Sequence, residues 1–269
     1  MTDSPANDSP AKLLDLAVGL AREASALLRE GHTHRLVVGT KSSGTDMVTE
    51  MDRASEALIV AGLRSARPDD AIVGEEGTAD TGTSGVRWLV DPLDGTTNYL
   101  YGYPAFSVSI AAEVDGQVVV AVVADASNGE VFTAARGSGA QRDGVTLAID
   151  DHADLATALV GTGFSYLAER RARQAQVLTA LLPAIRDVRR AGSAALDLCW
   201  LASGRLDAFY EKGLGPWDLA AGALIAGEAG ARVGDLDGGA PSTEFVLAAA
   251  PSLLEPLRAA LVAAGARDA

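Results

Sequence analysis

The apolar run Trp88-Leu89-Val90 passes directly into Asp91-Pro92-Leu93-Asp94-Gly95-Thr96-Thr97, and this junction constrains the chain more than any other segment. It requires a strand to stop in an acidic turn and a helix to start straight after it. Pro92 holds Asp91 extended, Gly95 allows a tight turn, and Thr96-Thr97-Asn98 reads as a helix start whose N–H groups can receive an anion. Two carboxylates and the Leu93 carbonyl on one side of the turn make an oxygen-rich cage suited to Mg²⁺. Taken alone, an acidic β-turn with a helix cap explains the same residues. Phosphatases that form an aspartyl-phosphate separate their two aspartates by one residue. Here the separation is two, so that chemistry is excluded.

Carboxylates at three further places invite the same question. Glu75-Glu76 follow the strand Ala71-Ile72-Val73 and could supply a metal ligand or orient a water, or could be solvated surface. Asp52 lies inside a helix, where Arg53 offers an ordinary surface ion pair. Asp218 opens a helix of small residues (Ala220, Ala221, Gly222, Ala223, Ala226, Gly227), either as an N-terminal cap or pointed into a cleft where two helices approach closely. Asp235-Leu236-Asp237-Gly238 starts like a calcium loop but lacks the terminal glutamate. His32, His34 and His152 lack ligand spacing, and Cys199 between Leu198 and Trp200 reads as buried filler.

A chain of 269 residues with 48% hydrophobic and 22% charged residues can bury a substantial core. The net charge of -14 argues against direct nucleic-acid binding but permits an anionic substrate once divalent cations are bound. One cysteine fits a reducing cytoplasm. No signal peptide or membrane-length apolar run is visible, so a soluble cytoplasmic protein is expected.

Residues 1–10 read as a disordered tail. Residues 11–150 read as an α+β half: helices at Lys12 to Arg29 and Glu50 to Leu63 over an antiparallel sheet, with an Asp115-Gly116 hairpin. Residues 151–269 alternate strands and helices in the α/β manner. The two halves are expected to pack as one unit.

In order along the chain, the motifs resemble the inositol monophosphatase family of Mg²⁺-dependent, lithium-sensitive phosphatases. They are Lys41-Ser42-Ser43, Asp46-Met47-Val48-Thr49 with Asp52, Gly74-Glu75-Glu76, the 88–98 segment, Gly192-Ser193-Ala194-Ala195, Asp207-Ala208-Phe209-Tyr210-Glu211 and Trp217-Asp218-Leu219-Ala220-Ala221-Gly222. The resemblance implies an α/β (α+β) fold, the layered α-β-α-β-α sandwich shared with fructose-1,6-bisphosphatase. It implies two or three Mg²⁺ ions held by Glu75, Asp91, the Leu93 carbonyl, Asp94 and Asp218. Glu75 and the Thr96 hydroxyl would orient the attacking water, supported by Asp52. Phosphate would meet the Gly95 and Thr96 amides, and the alcohol would contact Asp94, Gly192, Ser193, Ala194, Glu211 and Asp218. Lys41 would sit on a mobile loop over the metals, and a homodimer is expected.

The implied reaction is hydrolysis of inositol-1-phosphate to myo-inositol and phosphate. Histidinol-phosphate hydrolysis on the same fold is the nearest alternative, with Glu211 meeting the substrate ammonium, and bisphosphate substrates are further possibilities. A regulatory or assembly protein that kept the fold is the alternative from another class.

Overall fold

The computed structural model describes residues 9–32, 37–40, 47–151 and 154–269. Residues 1–8 of the expected tail, Lys41 with the 41–46 loop, His34 and His152 lie outside the described residues. Helix α1 (Pro10–Gly31) has proline in its first turn, where a missing N–H costs nothing, and buries Leu13, Ala17, Leu20, Ala21, Ala24 and Leu28 at helical spacing. The short pair β1 (Val37–Thr40) and β2 (Met47–Thr49), which sequence reasoning did not foresee, leads into α2 (Glu50–Ala66). Thr49 and Asp52 form a reciprocal capping box at the start of α2.

Next come β3 (Ala71–Gly74), β4 (Ala79–Asp80), β5 (Val86–Asp94), α3 (Thr96–Tyr101), β6 (Ser107–Val114), β7 (Gln117–Asp125), β8 (Val131–Ala135), β9 (Ala140–Arg142) and β10 (Val145–Thr146). They build an eight-stranded sheet in the order β10-β9-β8-β7-β6-β5-β3-β4. Asp115 and Gly116 join β6 to β7 with positive φ at both residues (51° and 77°), the backbone of the expected tight hairpin. The expectation of an antiparallel sheet needs correction. β3 and β5 run parallel, because β4 turns back along the outer edge of β3 and the chain then re-enters on its inner side.

The second half supplies β11 (Leu159–Thr162), α4 (Ala168–Leu181), β12 (Asp187–Arg189), α5 (Ala194–Ala202), β13 (Ala208–Glu211), α6 (Pro216–Glu228), β14 (Arg232–Gly234), β15 (Val246–Ala249) and α7 (Leu254–Ala263). Its sheet has the order β12-β11-β13-β15-β14. α6 begins at Pro216, two residues before Asp218, because proline at a first helical position is already set for the helix.

The buried clusters give the layers. α1 and α2 cover one face of the large sheet through Leu20, Leu28, Ile59 and Leu63 against Trp88, Val90, Ile110 and Val122. The opposite face packs Leu89, Ala111, Val123 and Phe132 on Leu196, Cys199, Ala221 and Ile225 of α5 and α6. These two helices also meet the small sheet, through Leu198 and Ala226 against Phe209, Val246 and Ala248. α4 and α7 close its outer face with Val177, Leu181, Leu257 and Leu261. The result is the expected α-β-α-β-α sandwich. The small face of α6 serves the close approach anticipated for it: a Cβ on Gly222 would lie 2.8 Å from the Leu198 side chain. Among the described residues no helix is long and apolar enough to cross a membrane.

Two features fix β5, one near each of its ends. The fully buried Trp88 donates its indole N–H to Asp70 Oδ2 at 2.8 Å. Burial works to raise the Asp70 carboxyl, but hydrogen bonds from Arg67, Ser84 and Trp88 outweigh it and hold the group ionised below its usual range. Further along, Asp91 pairs with Ser109 and Asp94 with Ser107, so three steps on β5 face two on β6. This is a β-bulge, and Pro92, which has no N–H for the ladder, sits inside it.

Candidate active site

In a regular strand, residues three apart point to opposite faces. The bulge cancels that alternation and lets Asp91 and Asp94 address the same pocket. Asp91 Oδ1 accepts the Leu93 N–H at 3.0 Å, which tightens the turn. Gly95 then takes φ 95°, and a Cβ there would lie 2.8 Å from the Ala105 carbonyl, so only glycine fits. α3 starts immediately, placing Thr96 beside the carboxylates.

Glu75 reaches the same place from the turn after β3, and Asp218 from the first turn of α6. Glu75, Asp91 and Asp218 each present an oxygen, and the three oxygens lie within 4.8 Å of one another. Asp218 combines its two anticipated roles: its Oδ2 accepts the Gly215 N–H at 2.7 Å, capping α6, while the residue lines the shared pocket. Asp94 lines that pocket too but stands outside the triad. Its Oδ2 accepts from Ser193 Oγ at 2.6 Å and from the Ala195 N–H at 2.8 Å, at the start of α5.

Asp52 is not a surface ion-pair residue. It is completely buried, its Oδ2 takes the Thr49 N–H and hydroxyl, and its Oδ1 accepts from Thr96 Oγ1 at 2.9 Å. The Thr96 hydroxyl also lies 3.2 Å from the Leu93 carbonyl. Its single proton is therefore directed to oxygens behind it.

Glu75, Asp91, Leu93, Asp94, Gly95, Thr96, Gly192, Ala194, Glu211 and Asp218 all line one cavity of about 250 Å³. Ser193 stands behind it, through Asp94. Arg170 and Arg190 also line the cavity, and no motif announced either of them. Asn98 was missed as well; its amide spans from the Ala105 carbonyl at 2.6 Å to the Ala191 carbonyl at 2.8 Å, tying α3 to the segment before α5. Neighbouring side-chain chemistry could have suggested Asn98, which sits inside the 88–98 motif; nothing in the local sequence marked the arginines.

The electrostatics match a site built for cations. Burial, then the charges of Glu75, Asp94 and Asp218, push the Asp91 carboxyl far above its ordinary value. Asp218 is raised by burial and by Glu75 and Asp94. Burial raises Asp94 to about 6 against the pull of Ser193 and Ala195. Burial lifts Glu211 to about 8, opposed by Arg190 and aided by Asp94. All-oxygen donors of like charge, crowded together and reluctant to ionise, fit a hard divalent ion.

These shifts make a stability prediction. Acids whose folded pKa exceeds the unfolded value bind more protons when folded, so their contribution is fully present below about pH 4 and is lost as pH rises through the folded values. Without divalent cations, the melting temperature should fall by several degrees between pH 5 and pH 8.5, and added Mg²⁺ should restore most of it. Scanning calorimetry in chelator across that range checks this; a flat or rising profile contradicts it.

Residues 9–266 match the inositol monophosphatase family. Inositol-1-monophosphatase SuhB of Mycobacterium tuberculosis is 45% identical over 277 residues, covering 95% of each chain. The solved structure of Mycobacterium tuberculosis SuhB superposes with a TM-score of 0.84 at 43% identity, over 97% of this chain and 100% of that one. A protein of Pasteurella multocida named Nus factor SuhB is 41% identical over 250 residues, covering 91% of this chain and 94% of its own. With a match that runs almost end to end and a relative this similar, the chain belongs to the inositol monophosphatase family, a metal-dependent family of phosphoric monoester hydrolases.

Proposed function

We propose that this enzyme hydrolyses inositol-1-phosphate to myo-inositol and phosphate with two or three Mg²⁺ ions. The observation that carries the reading is the Glu75, Asp91 and Asp218 oxygen triad sharing a pocket with the Thr96–Asp52 pair. Glu75, Asp91, the Leu93 carbonyl, Asp94 and Asp218 would hold the cations. Bound there, divalent cations would neutralise the ester dianion, acidify water and stabilise the departing alkoxide.

The chain's own part begins behind the pocket. Asp52 accepts the hydrogen bond of the Thr96 hydroxyl, so the lone pairs of Thr96 Oγ1 are left to accept a hydrogen bond from water. Glu75 gives that water a second acceptor and so aims its oxygen at phosphorus. The Gly95 and Thr96 amides would receive phosphate oxygens. Gly192, Ser193, Ala194, Asp94, Asp218 and Glu211 would surround the alcohol.

Glu211 favours a polyol over an ammonium alcohol. With a pKa of about 8 it is largely protonated at neutral pH, able to donate to one ring hydroxyl and accept from another. Arg190 beside it adds a positive charge that an ammonium would meet unfavourably. A phosphate-release panel at pH 7 should therefore show Mg²⁺-dependent, Li⁺-sensitive turnover, with kcat/KM on inositol-1-phosphate at least about tenfold above histidinol phosphate. The reverse order would select histidinol-phosphate hydrolysis. E211Q should stay within a few-fold of wild type, whereas E211A should raise KM about tenfold by leaving hydroxyls unpaired.

Relatives named Nus factor SuhB favour a second reading, an assembly role carried by the same fold. Absence of release on every monoester would select it. A homodimer and a cytoplasmic setting belong to the same proposal by family likeness; the exposed Tyr101 and Tyr103, at 76% and 54%, are surface aromatics suited to a second copy.

A further inference from the structure

We propose that Glu56 is a positioning residue that holds the Glu75 turn in place and thereby sets how tightly the pocket binds divalent cations. The inference rests on the metal-site reading above and adds a residue that touches neither substrate nor cation.

Glu56 is a buried carboxylate, 6% exposed, in the second turn of α2. Its Oε2 accepts the Glu76 N–H at 2.8 Å. Its Oε1 accepts the Thr78 hydroxyl at 2.7 Å and the Thr78 N–H at 3.2 Å. Both oxygens are thus committed to the turn that carries Glu75. The carboxylate also presses on the strand just before that turn: a Cβ on Gly74 would lie 2.3 Å from Glu56 Oε2. No other residue type fits at 74 without displacing the clamp.

Its place on α2 gives the contact its meaning. Asp52, Ser55 and Glu56 stand at i, i+3 and i+4 and share one helix face. Asp52 holds Thr96 at the start of α3. The fully buried Ser55 donates to the Pro92 carbonyl at 2.8 Å, inside the bulge between Asp91 and Asp94. Glu56 holds the Glu75 turn. One rigid helical face therefore grips the Glu75 turn, the bulge after Asp91 and the Thr96 side chain, the three parts that bring Glu75, Asp91 and Thr96 together. The restraint matters because the triad repels itself, and a short loop relaxes outward when it is not tied down. Partners of this kind, one bond removed from the ligands, typically change metal affinity about 10–100-fold.

The test is Mn²⁺ binding followed by calorimetry or by the loss of its free-ion EPR signal, with phosphate release measured in parallel. E56A should bind Mn²⁺ about 10–100-fold more weakly and need a correspondingly higher Mg²⁺ concentration for half-maximal turnover, while kcat at saturating metal falls much less. E56Q keeps one acceptor but turns an amide toward an N–H, and should lie between E56A and wild type. T78V loses one of the three bonds and should weaken binding by a few-fold. A melting temperature lowered in chelator with Mn²⁺ affinity unchanged would assign Glu56 a purely structural role and overturn the proposal. If E56A does not fold, unchanged affinity in E56Q and T78V overturns it equally. A wild-type protein that binds Mn²⁺ yet releases no phosphate sinks the hydrolase reading alone, and the affinity shift still decides the clamp.

Discussion

Asp91→Asn should lower phosphate release by at least about 10³-fold at saturating Mg²⁺ and raise the melting temperature of the metal-free protein. The loss corresponds to about 4 kcal/mol of transition-state stabilisation. The substitution keeps the shape of the side chain, and asparagine Oδ1 can still accept the Leu93 N–H that tightens the turn. What it removes is the charge, at the most deeply buried member of a like-charged triad. Burial and the neighbouring Glu75, Asp94 and Asp218 make that charge costly in the absence of cations, so its removal relieves the fold. Activity and stability are thus expected to move in opposite directions. Steady-state kinetics with a melting curve in chelator measures both. Near-normal turnover, or an equal collapse of fold and activity, would refute the assignment of Asp91 as a cation ligand.

Thr96→Val should cost about 10²–10⁴ in kcat, the range a positioned proton acceptor supplies. Valine matches threonine in shape but offers no oxygen to the water. Asp52→Asn should fall in the same range, because the amide can donate to Thr96 Oγ1 and turn its proton outward toward the water. The informative variant is the double substitution. If Asp52 acts through Thr96, the pair should be little worse than Thr96→Val alone, the non-additivity of groups that work as a unit. Fully additive losses would mean that Asp52 serves by another route, such as its cap at α2. Mn²⁺ affinity should hold in Thr96→Val, separating this residue from the ligands and from Glu56.

Much of this site was legible in local sequence because each carboxylate sits at an element boundary marked by turn chemistry. Asp91 and Asp94 follow an apolar strand and precede glycine, and Asp218 follows proline at a helix start. Asp52 was ambiguous because its partner Thr96 is 44 residues away; only the family likeness pointed to its role. Glu56 had no signal beyond its spacing from Asp52 on the helix, since its partners lie 20 and 22 residues further on. The parallel pairing of β3 with β5 was missed because short strands separated by turns read as a meander, and β4 is too short to announce an edge. Arg170 and Arg190 reach the pocket from the first turn of α4 and the segment after β12, positions that gain meaning only once the sheets are stacked. Asp94 was expected among the cation ligands. Its bonds to Ser193 and Ala195 make it a brace between the two halves, which spacing could not reveal.

The extra residue in β5 has a consequence for how such a centre can change over time. Deleting Pro92 or Leu93 would restore even pairing with β6 and leave Asp91 and Asp94 on one face, but it would remove either the carbonyl that Ser55 grips or the N–H that Asp91 Oδ1 accepts. Length at this point is therefore guarded as strictly as chemistry. A descendant could exchange many of the surrounding side chains and keep this turn, whereas one lost codon here would remove a backbone group that shapes it.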